Sequence, residues 1–298
     1  MDAMKITTDT KLVPLLGMPL GHSYSVELQN QIFEREGLNY LRIPIEVQGD
    51  AVGEVVAGLR HMNIAGITAT KPNKIEIMNY LDEIDPLAGI IGAVNVSVFR
   101  EGRLTGYNTD GEGFLQSLEE EVDCDLPQTD FFCFGAGGAG RAICTILADR
   151  KARSIRITDC VPEVAEHLTH HLSSYYPDTL LETVPFTDKA ALGAAVSQSD
   201  VVMNVSGAGM YSRLDETPAD PAWLHPGQVA FDATYNPEET RFLREAREAG
   251  CRTFNGKRML AYCGMLGYRL LTGKEPPKEE WLKRMDRMEE ERRQNRKE

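Results

Sequence analysis

The stretch that most restricts this chain is Phe131-Phe132-Cys133-Phe134-Gly135-Ala136-Gly137-Gly138-Ala139-Gly140, an apolar run passing straight into closely spaced glycines, with a helical pattern over 141–150 behind it. A glycine triplet alone also occurs in ordinary turns. A strand before it and a helix after it give it chemistry. Gly135 permits the tight turn, Gly137 lets a pyrophosphate approach the backbone, and Gly140 lets the helix pack closely on the strand. Ala136, Gly138 and Ala139 complete the small-residue loop. The helix start offers unbonded N–H groups and the positive end of its dipole to the phosphates. The next apolar run, 154–158, ends at Asp159, 19 positions beyond Gly140, close to the ~20-residue offset of an acid that accepts bonds from ribose hydroxyls. A carboxylate there repels a 2′-phosphate, so NAD is favoured over NADP. Arg153 and Arg156 lie close by in sequence and keep NADP possible, and the plain alternative is a surface-turn aspartate with no ligand.

With 298 residues, 42% apolar and 26% charged, the chain has the balance of a globular protein and a length that favours two domains. Its formal net charge is −13, and basic residues cluster only in the C-terminal tail, among glutamates. Nucleic acid is therefore not an expected partner. An anionic substrate has to be held by local donors against the overall field. The six cysteines form no C-x-x-C pair and no metal-ligand spacing, so reduced thiols in a cytoplasm, with no metal, are expected. No leader pattern or membrane-length apolar run stands out, and no membrane association is expected.

Residues 12–16, 40–47 and 64–69 read as strands alternating with helices over 25–37 and 50–61, and a hairpin is expected across 94–99 and 103–107 with Glu101-Gly102 at its turn. Strands at 131–134, 154–158, 201–204 and 229–232, separated by helical segments, read as parallel βαβ units. The expectation is an α/β protein. A substrate domain, 1–112, is completed by 257–298, a Rossmann-type dinucleotide domain spans 113–256, and C-terminal helices pack back on the substrate domain. Beyond Pro276-Pro277 the charged tail carries an apolar stripe of Trp281, Leu282, Met285 and Met288, as a docked surface helix does.

Ser23 and Ser25, at a helix start, suit a carboxylate. Lys74 follows an apolar strand and a proline turn, Asn95 closes a strand, and Asp110 sits in Asn108-Thr109-Asp110-Gly111 at the domain junction. Singly each reads as a cap, a turn former or a surface charge. Together beside a dinucleotide site they read as an acid–base constellation.

In order and spacing, Gly17 to Ser25, Gly66 to Lys74, Gly92-Ala93-Val94-Asn95, Gly106 to Gly113, the Gly135 loop, Asp232 to Thr240 and Asn255 to Leu260 resemble the shikimate dehydrogenase family, including its quinate/shikimate variants. The resemblance implies that Ser23, Ser25 and Tyr235 bind the substrate carboxylate, and that Thr70, Asn95 and Asp110 hold ring hydroxyls. It implies that Lys74 is the catalytic acid–base paired with Asp110, and that the loop carrying Asn204 and Ser206 borders the nicotinamide ribose. It leads to an expected reversible dehydrogenase of a small carboxylate substrate, monomeric or homodimeric. The alternatives are a catalytically silent ligand-sensing protein of the same fold and another Rossmann dehydrogenase of similar layout.

The chain departs from the family pattern in four places. Val26 replaces a proline, which reads as structural. Thr68 stands where asparagine is common, altering the expected polar lining. Asp159-Cys160 replaces the basic residue that clamps a 2′-phosphate. Cys263 takes the place of a substrate-binding glutamine, and Arg258 that of a glycine near the nicotinamide pocket. A thiol is a poor partner for a ring hydroxyl, so the identity of the acid, whether shikimate, quinate, an amino analogue or another hydroxy acid, stays open.

Overall fold

A computed structural model of the chain describes residues 6–21 and 25–295. Two compact units are present: one takes the chain up to Thr109 and again from Cys263, the other spans Asp110–Tyr262. The sequence pattern places changes of domain at 112/113 and 256/257; the units divide at 109/110 and at 262/263, the latter inside a continuous helix that leaves no break in the pattern.

The first unit runs β1 (Lys11–Gly17), α1 (Ser25–Arg35), β2 (Tyr40–Glu46), α2 (Ala51–Leu59), β3 (Gly66–Ala69), β4 (Glu83–Ile84), α3 (Pro86–Ile91), β5 (Val96–Arg100) and β6 (Arg103–Tyr107). Its sheet is ordered β2-β1-β3-β5-β6-β4. Parallel β1 is covered on both faces, so Val13, Leu15 and Leu16 are all buried and the segment reads as a continuous apolar run. Val52, Val56 and Leu59 of α2 pack with Leu16, Ile67 and Ala69. The hairpin β5–β6 turns at Glu101 (φ 52°) and Gly102 (φ 79°), the paired positive φ values that a tight two-residue hairpin turn takes.

The second unit follows as α4 (Asp110–Glu121), β7 (Asp130–Phe134), α5 (Gly138–Asp149), β8 (Ser154–Thr158), α6 (Pro162–Tyr175), β9 (Leu180–Thr183), α7 (Lys189–Ser197), β10 (Val201–Asn204), β11 (Val229–Asp232), α8 (Arg241–Glu248) and β12 (Arg252–Asn255). All six strands are parallel in the order β12-β11-β10-β7-β8-β9. The chain builds outward from β7 to β9, then returns to the other side of β7 at β10. That reversal opens a crevice at the C-terminal ends of β7 and β10, where open α/β sheets take their ligands. The four inner strands are legible as apolar runs; β9 (LLET) and β12 (RTFN) are not, because edge strands are half exposed and carry polar residues.

The chain ends with α9 (Lys257–Thr272) and α10 (Lys278–Asn295). Within the first unit, Trp281 of α10 is fully buried and meets Tyr268 edge-on at 5.9 Å, and Tyr268 stacks on Phe33 of α1. Met285 and Met288 are buried beside it, while Leu282 is half-buried. Among the described residues no helix is long and apolar enough to cross a membrane, and no group of three or more His, Cys, Asp or Glu could hold a metal.

Candidate functional site

In the second unit the glycine loop joins β7 to α5. Gly135 has φ 105°, a left-handed conformation that L side chains resist, and its N–H donates to Thr158 O at 2.8 Å. A Cβ on Gly140 would lie 2.1 Å from Gly135 O, so only glycine lets α5 close on the strand. A Cβ on Gly137 or Gly138 would meet nothing within 4 Å. Those two glycines border an open cradle at the start of α5, and Ala139 continues its first turn. Small residues, free N–H groups and an open face fit a pyrophosphate.

Asp159 follows β8 at the same sheet edge. Its Oδ2 accepts from Ala136 N–H at 2.8 Å and its Oδ1 from Val161 N–H at 3.0 Å. A carboxylate offers about four lone-pair sites, so acceptor capacity for ribose hydroxyls remains. The two arginines named as possible aids to a 2′-phosphate are engaged elsewhere. Arg153 precedes β8 and forms a two-pronged pair with Asp130, and Arg156 donates to Glu182 on β9 at 3.0 Å. Nearness in sequence misled here because Arg153 lies at the opposite end of β8 from Asp159.

Asn204 closes β10, fully buried, with its amide engaged by Asp232 and Ala208 O and its Oδ1 by Ser206. It therefore acts on the loop that follows rather than presenting its side chain outward, whereas Ser206 is exposed. Burial raises the Asp232 carboxyl above the usual range, opposed by donors from Thr234, Thr240 and Asn204. Asp232 drew no role from the sequence; the available signal was a charge closing the wholly apolar run Val229-Ala230-Phe231. Tyr235 lies half-buried in the loop after β11, at the same sheet edge. Arg258, on the first turn of α9, lies 3.9 Å from Glu120, which also accepts from the Tyr262 hydroxyl at 2.7 Å. Asp110 is buried and opens α4, where Gly111 is needed because a Cβ would lie 2.6 Å from Ala142 O.

In the first unit, the ends of β1 and β3 and the start of antiparallel β5 share one edge. Thr70 N–H donates to Leu16 O, Ala69 N–H to Asn95 O and Met18 N–H to Lys71 O. Thr70 and Lys74 are half-buried on the segment after β3, which the Asn73 side chain ties to Val47 O at 2.7 Å. Glu46 at the end of β2 accepts from Leu20 N–H at 2.8 Å and so ties the residues just after β1 to β2. Ser25 is the first residue of α1; Ser23 lies outside the described residues.

Asn95 is buried and exchanges bonds with Thr109, its Oδ1 accepting from Thr109 N–H and its Nδ2 donating to Thr109 Oγ1, both at 3.0 Å. Cys263 donates its thiol to Thr109 O at 3.3 Å. The first unit thus brings Thr70, Lys74, Asn95 and Cys263 to one sheet edge. Thr68 does not join them: its hydroxyl is buried and donates to Pro14 O at 3.0 Å, because alternate residues of a strand point to opposite faces.

A family model described as the shikimate dehydrogenase substrate binding domain matches residues 15–97. A curated protein of Moorella thermoacetica named shikimate dehydrogenase (NADP(+)) is 38% identical over 274 residues, covering 92% of each chain. The solved shikimate 5-dehydrogenase of Listeria monocytogenes, in complex with shikimate and NAD, has a TM-score of 0.88 at 33% identity, over 94% of this chain and 98% of that one. The quinate dehydrogenase of Corynebacterium glutamicum, in complex with NAD, has a TM-score of 0.84 at 25% identity, over 92% and 98%.

Proposed function

The chain belongs to the shikimate dehydrogenase family, and from that premise we propose that it interconverts a shikimate- or quinate-like acid and its 3-dehydro ketone, preferring NAD, with Lys74 and Asp110 as acid–base pair. It is an oxidoreductase acting on a CH–OH group with a nicotinamide cofactor. The Moorella relative is named for NADP(+), while the Listeria and Corynebacterium structures hold NAD. The observation that carries NAD preference here is the Asp159 carboxylate, fastened to the glycine loop at Ala136 by a 2.8 Å bond. It sets a negative charge at the position that follows β8, where a 2′-phosphate would have to be desolvated and repelled.

Gly135, Ala136, Gly137, Gly138, Ala139, Gly140 and Asp159 would hold the dinucleotide, with Ser206 beside it and Asn204 supporting Ser206. When bound, the nicotinamide exchanges a hydride with the carbon bearing the reacting oxygen. In the reducing direction, negative charge develops on that oxygen, and the Lys74 ammonium stabilises it and delivers the proton. Asp110 orients the ammonium and accepts a bond from a neighbouring ring hydroxyl. In the oxidising direction, neutral Lys74 takes the hydroxyl proton as hydride leaves. Ser23, Ser25 and Tyr235 hold the carboxylate, and Thr70 and Asn95 hold ring hydroxyls. Cys263, with its thiol hydrogen on Thr109, offers the ring only a weak sulfur acceptor, which favours a substrate that needs no strong partner there.

The deciding experiment is steady-state oxidation of shikimate and of quinate with NAD and NADP in separate arms, followed through absorbance of the reduced nicotinamide. Higher kcat/KM with NAD, reversed or levelled in Asp159→Ser, is the expected result. Equal efficiency of the wild type with both cofactors would overturn the NAD preference. Turnover of neither acid would remove the substrate assignment.

A further inference from the structure

β11 ends on Asp232, a carboxylate with no solvent exposure. Burying it is costly unless donors fill its lone pairs, and three described groups do so. Oδ2 accepts from Asn204 Nδ2 at 2.8 Å and from Thr240 Oγ1 at 2.7 Å, while Oδ1 accepts from Thr234 N–H at 2.8 Å. An ionised carboxylate can only accept, so it dictates which end of the Asn204 amide faces it. The second Nδ2 hydrogen reaches Ala208 O at 3.0 Å. Asn204 Oδ1 is thereby turned toward Ser206, accepting from its Oγ at 2.7 Å and its N–H at 3.2 Å, and Ser206 Oγ accepts from Ala208 N–H at 3.2 Å. The loop so held lies against the glycine loop, where a Cβ on Gly135 would come within 2.8 Å of Ser206 N and Cα. An unbroken polar and steric chain therefore runs from β11 through the end of β10 to the crevice beside β7.

We propose that Asp232 is a positioning residue for the nicotinamide half of the cofactor, acting through the fixed amide of Asn204 to set Ser206 and the 205–208 loop against Gly135. The proposal rests on the dinucleotide reading of the glycine loop and adds a residue that touches neither cofactor nor substrate. Its logic is directional. In Asp232→Asn, an NH2 group must face either the two donors now shared by Oδ2 or the Thr234 N–H. Asn204 then loses its anchor and can present nitrogen instead of oxygen to Ser206. The adenosine and pyrophosphate half is held by the glycine loop, which keeps bonds of its own that do not pass through Asp232, Gly135 N–H to Thr158 O and Ala136 N–H to Asp159 Oδ2, both at 2.8 Å.

The test is calorimetric or fluorimetric titration of the full chain with NADH and with ADP, which carries adenosine and pyrophosphate alone. Asp232→Asn is expected to weaken NADH ~10-fold, as loss of a charge-assisted hydrogen-bond anchor does, and to leave ADP within ~2-fold. The exchange Asp232→Asn with Asn204→Asp, which restores one donor facing one acceptor and keeps an acceptor for Ser206 but loses the bond to Ala208 O, is expected to recover only part of the NADH affinity. Should Asp232→Asn not fold, Ser206→Ala at the exposed end of the chain is expected to weaken NADH ~3-fold while sparing ADP. A purely structural role would lower the melting temperature and leave both dissociation constants unchanged, or weaken both alike, and either pattern overturns the proposal. Wild-type protein that fails to bind NADH would instead overturn the dinucleotide reading beneath it.

Discussion

Gly137 and Gly140 stand three positions apart and are required for different reasons. A methyl group at Gly140 would strike Gly135 O at 2.1 Å, while one at Gly137 would meet no protein atom within 4 Å. Gly137→Ala should therefore melt within ~0.5 kcal/mol of wild type yet bind NADH more weakly, whereas Gly140→Ala should lose stability. Thermal melts beside NADH titration separate the two. Lys74→Ala should lower kcat by ~10²–10⁴-fold, the usual worth of a positioned acid–base group, with a smaller change in KM. Wild-type turnover in that variant would end its assignment as acid–base. The shape of the glycine loop and the place of Asp159 just after β8 could be read from sequence because each follows from backbone conformation or from position after a strand. The partners of Arg156 and Arg258 could not, since Glu182 and Glu120 lie 26 and 138 positions away and meet them only through sheet register and helix packing.

Among the elements, α10 docks through the apolar stripe its sequence displays: Trp281 is fully buried against Tyr268, with Met285 and Met288 buried beside it, and what the sequence leaves out is only which rings receive it. Trp281→Ala should cost ~3–5 kcal/mol in denaturant unfolding. At the end of α7 the His225 ring has both nitrogens 3.0 Å from carbonyl oxygens, Pro226 O and Ser197 O. Both nitrogens can donate only in the imidazolium, so these backbone bonds raise its pKa above the ordinary 6.5, and the cation faces the negative helix end. The stabilisation is fully present below pH 6.5 and lost as pH rises through the folded value. Accordingly, the stability difference between wild type and His225→Gln should be largest in mild acid and shrink through neutral pH in parallel denaturation curves. The missed strands, β9 and β12, belong to the same scale: edges carry polar residues because one side lacks a neighbouring strand.

For the whole molecule, the net charge of −13 sets a repulsive field for an anionic acid and an anionic dinucleotide. Screening shortens that field to roughly 8 Å at physiological ionic strength. Raising salt from very low values toward that level should thus increase kcat/KM for the acid; a fall would show that local cationic groups outweigh the global charge. The sequence by itself determined the α/β architecture, the strand, glycine loop and helix succession at β7 and α5, and the family, because repeated apolar runs, left-handed turns and residues placed just after strands are local consequences of chain order. Only the tertiary structure decided that the glycine loop is fastened to Asp159 through Ala136, that Asn204 faces inward on Asp232, and that Thr68 and Arg153 are engaged away from the sites. Those outcomes depend on which groups meet across a sheet, where register and burial choose among partners that the order of residues leaves equivalent.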